Sequence, residues 1–339
     1  MSVRARLRRS AAVALVSAVT AGSALLLTAC DPEGGSDGNA ATTAENPPAT
    51  QAGTPTGARS STGPAPMPTR SGPVNRTAGT GLTVSTNSAI VLMDGKTVDF
   101  GTVVRDLAWS PDGKRAAFID GNGNLQTSDP DGGHKTLVAK APTGVTWSHP
   151  AWQVTAKDEY DRGRNNLVLT AQDHGTLRLL TVPASGGTPA VLGLNGYVGG
   201  ETENPVPQTG NLWPNPSGDH GTLVYANQAD GQVYVRDDYL RQQGGALTKG
   251  SQPAGDDNGD LVFVRSVAGH SHIFTRPNDE SRQERDLTPN ATADCTEPAF
   301  SPDGKTVAFR DPNGIWTVPV GGGKPQQITD AAGLPAFRS

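Results

Sequence analysis

"PAFSPDGKTVAFRD" (Pro298–Asp311) is a short apolar run, a five-residue turn signal and a second apolar run. A near copy, "LAWSPDGKRAAFID" (Leu107–Asp120), lies 191 residues earlier. Ser at the first turn position, Pro at the second and Gly at the fourth suit a type I turn closed by a left-handed residue. Asp in such a turn can bond its own backbone. The stretch therefore reads as strand, tight turn, strand, and its repetition as structural punctuation.

The same template finds "NLWPNPSGDHGTLVYA" (211–226) and "QPAGDDNGDLVFVR" (252–265), with a degraded copy at "VTWSHPAW" (145–152) whose second strand is Leu167 to Ala171. A last fragment, "LPAFRS" (334–339), ends the sequence. Anchors at 109, 147, 213, 255, 300 and 337 give a mean spacing of about 46 residues, the length of a four-stranded propeller blade. Each repeat continues with a third strand, such as "GQVYVRD" or "GIWTVP", and then a Gly-rich turn and short fourth strand, such as "GGGKPQQIT". "LTVSTNSAIVLMDGKTVDFGTVV" (82–104) reads as strands two to four of a blade without a first, and "LPAFRS" as a first strand alone. Pro335–Arg338 is expected beside Leu82–Thr86, closing a ring of six blades and protecting the edges an open ring would expose.

"PAFSPDGKTVAFR…GIWTVPVGGGKPQQIT" resembles the WD40-like propeller repeat of TolB and its relatives, and more distantly the propeller of prolyl oligopeptidases. The resemblance covers about 250 residues and implies an all-β, six-bladed β-propeller of four-stranded blades. TolB carries an N-terminal α/β domain, and a different segment stands in that place here.

Residues 1–29 read as a lipoprotein signal peptide, with Arg4, Arg6, Arg8 and Arg9 before an apolar run from Ala11 to Leu27. Leu27-Thr28-Ala29-Cys30 resembles the bacterial lipobox, which implies lipidation of Cys30 and placement on the extracytoplasmic face of the cell membrane. The Arg8-Arg9 pair leaves general secretory and twin-arginine export both open. Together with the Ala/Gly/Arg-rich style, the lipobox resembles that of an actinobacterial surface lipoprotein. Residues 30–80 are Gly, Ala, Ser, Thr and Pro with little apolar content, so a disordered tether is expected. Fifty such residues reach ~40 Å. The propeller is expected over 81–339.

Loss of four arginines with residues 1–29 takes the formal charge from −5 to −9. An acidic exported chain without basic stripes is a poor nucleic-acid binder. Of two cysteines, Cys30 is assigned to the lipid, and Cys295 is read as a small buried hydrophobe. The G-x-S-x-G match at Gly34–Gly38 falls in the Gly/Ser-rich stretch rather than after a strand, so no serine-hydrolase elbow is read from the sequence. "DPDGG" (129–133) and "GDDNGD" (255–260) fall at hairpins of the repeat and read as turns rather than calcium loops. His174, His270 and His272 are candidate polar residues of the channel face, where clustered histidines would favour a metal-dependent, lyase-like reading. The long segment 195–211 reads as a functional or disordered loop.

The insertion "HPAWQVTAKDEYDRGRNN" (149–166) replaces an SPDG turn, and its Trp152, Tyr160, Arg162 and Arg164 are candidate partner contacts. The expectation is thus a monomeric, non-enzymatic protein-interaction module without cofactor, metal or catalytic residues, bound to an envelope protein. A small molecule or glycan in the central channel is the alternative.

Overall fold

The computed structural model describes residues 74–196, 205–218, 220–237, 239 and 243–339. The signal peptide, Cys30 and most of the expected tether lie outside these residues, as does 197–204 of the 195–211 segment. Described residues begin at Val74, seven before the expected boundary at 81. Here Arg76 N donates to Ile328 O at 2.9 Å and Gly95 N to the buried Thr77 hydroxyl at 2.9 Å. These bonds hold 74–80 on the propeller.

The described chain is all-β. In order it runs β1 (Leu82–Ser85), β2 (Ile90–Met93), β3 (Lys96–Asp99); β4 (Arg105–Trp109), β5 (Ala116–Ile119), β6 (Leu125–Ser128), β7 (Thr136–Ala139); and β8 (Val145–Thr155), β9 (Arg164–Asp173), β10 (Thr176–Pro183), β11 (Ala190–Val191). Then come β12 (Asn211–Pro216), β13 (Leu223–Asn227), β14 (Gln232–Arg236), β15 (Gly244–Lys249); β16 (Ser251–Gly255), β17 (Leu261–Val267), β18 (His270–Arg276), β19 (Arg285–Asp286); β20 (Thr296–Phe300), β21 (Thr306–Asp311), β22 (Gly314–Pro319), β23 (Gln326–Thr329); and β24 (Leu334–Phe337). They form six antiparallel four-stranded sheets. The first is β24-β1-β2-β3, assembled from both chain ends as expected, with Leu82 opposite Phe337 and Ser85 opposite Leu334. Blades are numbered from this one, so β20–β23 form blade 6.

The core has six parts, one at each blade-to-blade interface. Between blades 1 and 2, Val91, Met93 and Phe100 meet Leu107, Trp109 and Phe118. Between blades 5 and 6, Val262, Ile273 and Leu287 meet Cys295, Phe300 and Phe309. Alternating side chains on both faces of each sheet produce this arrangement. Cys295 is buried there, and burial pushes its thiol up to about 11.

Register corrects two anchors of the sequence reading. Trp152, not Trp147, is the blade 3 partner of Trp109 and Phe300, and Pro216, not Trp213, holds that place in blade 4. The apolar tryptophans at 147 and 213 imitate the anchor a few residues early, and only strand pairing separates them.

Candidate functional site

Six aligned tetrads lie on the innermost strands. They are Asp106-Leu-Ala-Trp109, His149-Pro-Ala-Trp152, Trp213-Pro-Asn-Pro216, Gln252-Pro-Ala-Gly255, Glu297-Pro-Ala-Phe300 and Leu334-Pro-Ala-Phe337. In blades 2 to 6 the register with the second strand shifts just before the third tetrad residue, leaving one extra residue. That is a β-bulge, which re-aims side chains. The first residue of each bulged tetrad is left-handed, with φ of 54° at Asp106, 50° at His149, 53° at Trp213, 48° at Gln252 and 53° at Glu297. Such backbone is uncommon for any residue with a Cβ and strained for one as bulky as Trp. The next residue is a buried proline in four of the five, which lacks the N–H that a bulge would leave unpaired.

Neighbouring tetrads are stitched through these residues. His149 N donates to Asp106 Oδ2 at 3.0 Å, and Glu297 N donates to Gln252 Oε1 at 2.7 Å. Blades 3 and 6 face each other across the ring, yet His149 Nε2 lies 3.6 Å from Glu297 Oε2, so this pair spans the channel. The indole Nε1 of Trp213 donates to the same His149 nitrogen at 2.9 Å, with the rings edge-on at 5.7 Å. Nε2 therefore serves one partner at a time. A neutral imidazole accepts the Trp213 N–H, while an imidazolium turns a proton toward Glu297. Burial pulls the His149 pKa down, but Glu297 and Asp106 outweigh it and the net shift is upward.

From this ring a cavity of about 500 Å³ runs along all six inner strands to the face that carries the SPDG turns. Pro111, Pro216, Asp256, Asp257 and Pro302 line it at that face, and among the described residues neither Lys nor Arg lines it. Burial raises the Asp256 pKa, and its Oδ1 accepts the amides of Asn258 and Asp260.

Hydrogen bonding of Asp256 makes "GDDNGD" a turn, as expected. In "DPDGG", Gly132 N donates to Asp129 O, which is likewise turn geometry.

The named candidates are scattered. Trp152 is buried, its Nε1 donating to Ala108 O at 3.3 Å, so it belongs to the core and the wall of the cavity. The 149–166 insertion is an extended hairpin arm, β8 and β9, projecting where an SPDG turn would stand. At its tip Tyr160 is 68% exposed and Arg162 is exposed, whereas Arg164 sits 3.7 Å from the buried Asp161. Trp152 and Tyr160 thus form no joint exposed patch. The arm leans on blade 4, with Gln153 Nε2 donating to Gly221 O at 2.8 Å.

His174, His270 and His272 do not line the cavity, which corrects their placement on the channel. His174 pairs with Asp173 at the β9–β10 turn and the buried His272 with Asp286, on different blades. Third strands stand outward of the first, so β18 keeps His270 and His272 away from the channel. Among the described residues no three His, Cys, Asp or Glu side chains are grouped to hold a metal ion.

His149 and Glu297 carry the site, and the sequence reading singled out neither. The signal was available as the residue before Pro-Ala-aromatic, which varies while its neighbours repeat.

No family model matches the sequence, and no curated protein does. Solved structures do. TolB from Acinetobacter baumannii is 16% identical with a TM-score of 0.55, over 76% of this chain and 66% of that one. A putative TolB from Agrobacterium tumefaciens is 17% identical with a TM-score of 0.52, over 76% and 90%. A chain of a nidogen/laminin complex is 13% identical with a TM-score of 0.53, over 76% and 98%. At such identities the likeness is one of fold. This chain has a TolB-like six-bladed β-propeller, and it spans just under two thirds of the Acinetobacter protein.

Proposed function

We propose that the protein is a lipid-anchored, non-enzymatic binding protein of the cell envelope, whose propeller captures a partner protein on the face of its SPDG turns. The observation that carries this is the cavity opening on that face beside the β8–β9 arm. Val154 of the arm lines the cavity and is 38% exposed, and the exposed Tyr160 lies beyond it. A partner segment entering the channel can therefore also rest on the arm, with an aromatic anchor and charge close together. One of the matching solved structures is of a protein–protein complex.

The test is a photo-crosslinking residue at Val154 in intact cells, with another at His174 on the opposite face. Val154 should capture a discrete protein that His174 does not. Capture from His174 alone would move the binding face. A second reading, a small molecule or glycan in the channel, rests on a volume within the range of ligand pockets, roughly 300–1,000 Å³. Its mark would be a co-purifying ligand without crosslinked protein.

A further inference from the structure

We infer that the channel recognises an organic cation, an alkylammonium or guanidinium group, which takes the place of His149 as the partner of Glu297. This rests on the binding reading above and names the chemistry of its ligand.

Among the described residues the cavity offers acceptors and π faces and no permanent cation, His149 competing only when protonated. Asp106, Glu297 and Gln252 supply oxygens at its inner end and Asp257 a carboxylate at its mouth, while no Lys or Arg side chain among the described residues lines it. Trp213 beside them can hold a cation on its ring face. Leu334 opposite Trp213, with Pro150, Pro253 and Pro298, gives apolar wall for an alkyl stem. Glu297 is poorly served by the protein itself. Its carboxylate is 3.6 Å from His149 Nε2, beyond hydrogen-bonding reach, and that nitrogen already accepts the Trp213 N–H at 2.9 Å. With His149 neutral, Glu297 is a half-buried carboxylate facing a cavity, and a charge-assisted donor would satisfy it.

Shape favours a cation on a stem over a bare ion. From Glu297 to Ser301 the strand advances four residues, ~13 Å at the usual rise. A group reaching the ring from the mouth must therefore be narrow and long. A lysine or arginine of a partner segment laid across the mouth meets this, and so does a free polyamine.

The test uses the purified full chain, following the Trp213 indole N–H by NMR, assigned through Trp213→Phe. The probes are N-acetylarginine methylamide, spermidine and, as anionic control, N-acetylglutamate methylamide. The arginine probe or spermidine should shift the Trp213 signal saturably and the glutamate probe should not. The tighter of the two cations then identifies the source as a partner's side chain or a free polyamine. Glu297→Gln should weaken binding about tenfold or more, the scale of a lost charge-assisted contact. Glu159→Gln, on the arm and away from the cavity, should leave it unchanged.

Should Glu297→Gln fail to fold, the wild type still decides. Asp106, Glu297 and the Trp213 indole face His149, and its protonation should lower cation affinity by up to about tenfold per pH unit below its pKa. No shift at millimolar cation, an equal shift with the glutamate probe, or affinity unaffected by both Glu297→Gln and pH would overturn the inference. A partner captured from Val154 by a protein that binds neither cation would remove this inference and leave the binding reading standing. Loss of capture and cation binding together would remove both.

Discussion

At the scale of residues, the two SPDG turns repeat the same bonds. Ser110 Oγ donates to Asp112 Oδ1 at 2.7 Å and accepts Arg115 N at 3.0 Å, and Ser301 Oγ does the same with Asp303 at 2.6 Å and Thr306 N at 3.0 Å. The serine bond, with the amide of the following lysine, holds each turn aspartate below the usual carboxylate range. Glycine closes the turn because φ there is 64° at Gly113 and 67° at Gly304. A Cβ on Gly304 would also lie 2.7 Å from Asp256 Oδ2 of blade 5. Gly304→Ala should therefore destabilise by about 1–2 kcal/mol in urea unfolding. Gly123→Ala, at φ 83° in open space, should cost the backbone strain alone. Equal losses would show that the blade contact contributes nothing. His149 gives a pH signature. Its folded pKa is raised, so its stabilising contribution is complete below about pH 6.5 and fades as pH rises through the folded value. His149→Gln should therefore lower the melting temperature more at about pH 5.5 than at about pH 8.5, and a gap that widens with pH would contradict the bridge to Glu297.

Elements show why the inner strands differ from the rest. A first strand lines the channel, and in blades 2 to 6 the bulge re-aims the first tetrad residue while the third and fourth keep their pairing with the second strand. The outer part of the β8–β9 arm, beyond Trp152, has no such role. Its tip is held by Asp158, whose Oδ1 accepts Tyr160 N and Asp161 N at 2.7 and 2.6 Å and whose Oδ2 accepts the hydroxyl of Tyr239, beyond β14, at 3.0 Å. Replacing residues 156–163 by a short Gly-Ser turn should leave the thermal transition within a few degrees, because loop length costs little, while abolishing the crosslink from Val154. A folded variant that captures the same protein at the same yield would shift recognition wholly into the channel.

The whole molecule depends on its closing blade. Besides β24–β1 pairing, Arg338 N donates to Gly81 O at 2.8 Å, its Nε to Gly113 O at 2.9 Å, and its guanidinium lies 5.3 Å from the Trp109 ring centre. One residue thus joins blade 1 to the SPDG turn of blade 2. Removing 334–339 exposes β1 as an edge and uncovers Leu82 and Val84, at a cost of several kcal/mol. The melting temperature should fall by many degrees, and an unchanged value would refute closure by this strand. At the same scale, Cys30→Ala should move the protein from the membrane fraction to the soluble one. Retention in the membrane with an unaltered N-terminal mass would remove the lipid anchor from the proposal.

Blade number, strand order and the joining of the two ends were legible in the sequence, because turn chemistry is local. Ser, Pro, Asp and Gly at fixed offsets impose the same hairpin wherever they occur, and counting hairpins counts blades. The burial of Cys295 followed from its place at a blade start. The ring of Asp106, His149, Trp213, Gln252 and Glu297 was decided by tertiary structure. Its members are separated by tens of residues in sequence, they differ in chemistry, and only ring closure brings blade 3 against blade 6. Tertiary packing likewise moved Trp152 from an expected surface contact to the core, since one residue of register decides which face a strand side chain takes. Repetition announces the scaffold, while the site sits at a position whose chemistry changes from repeat to repeat.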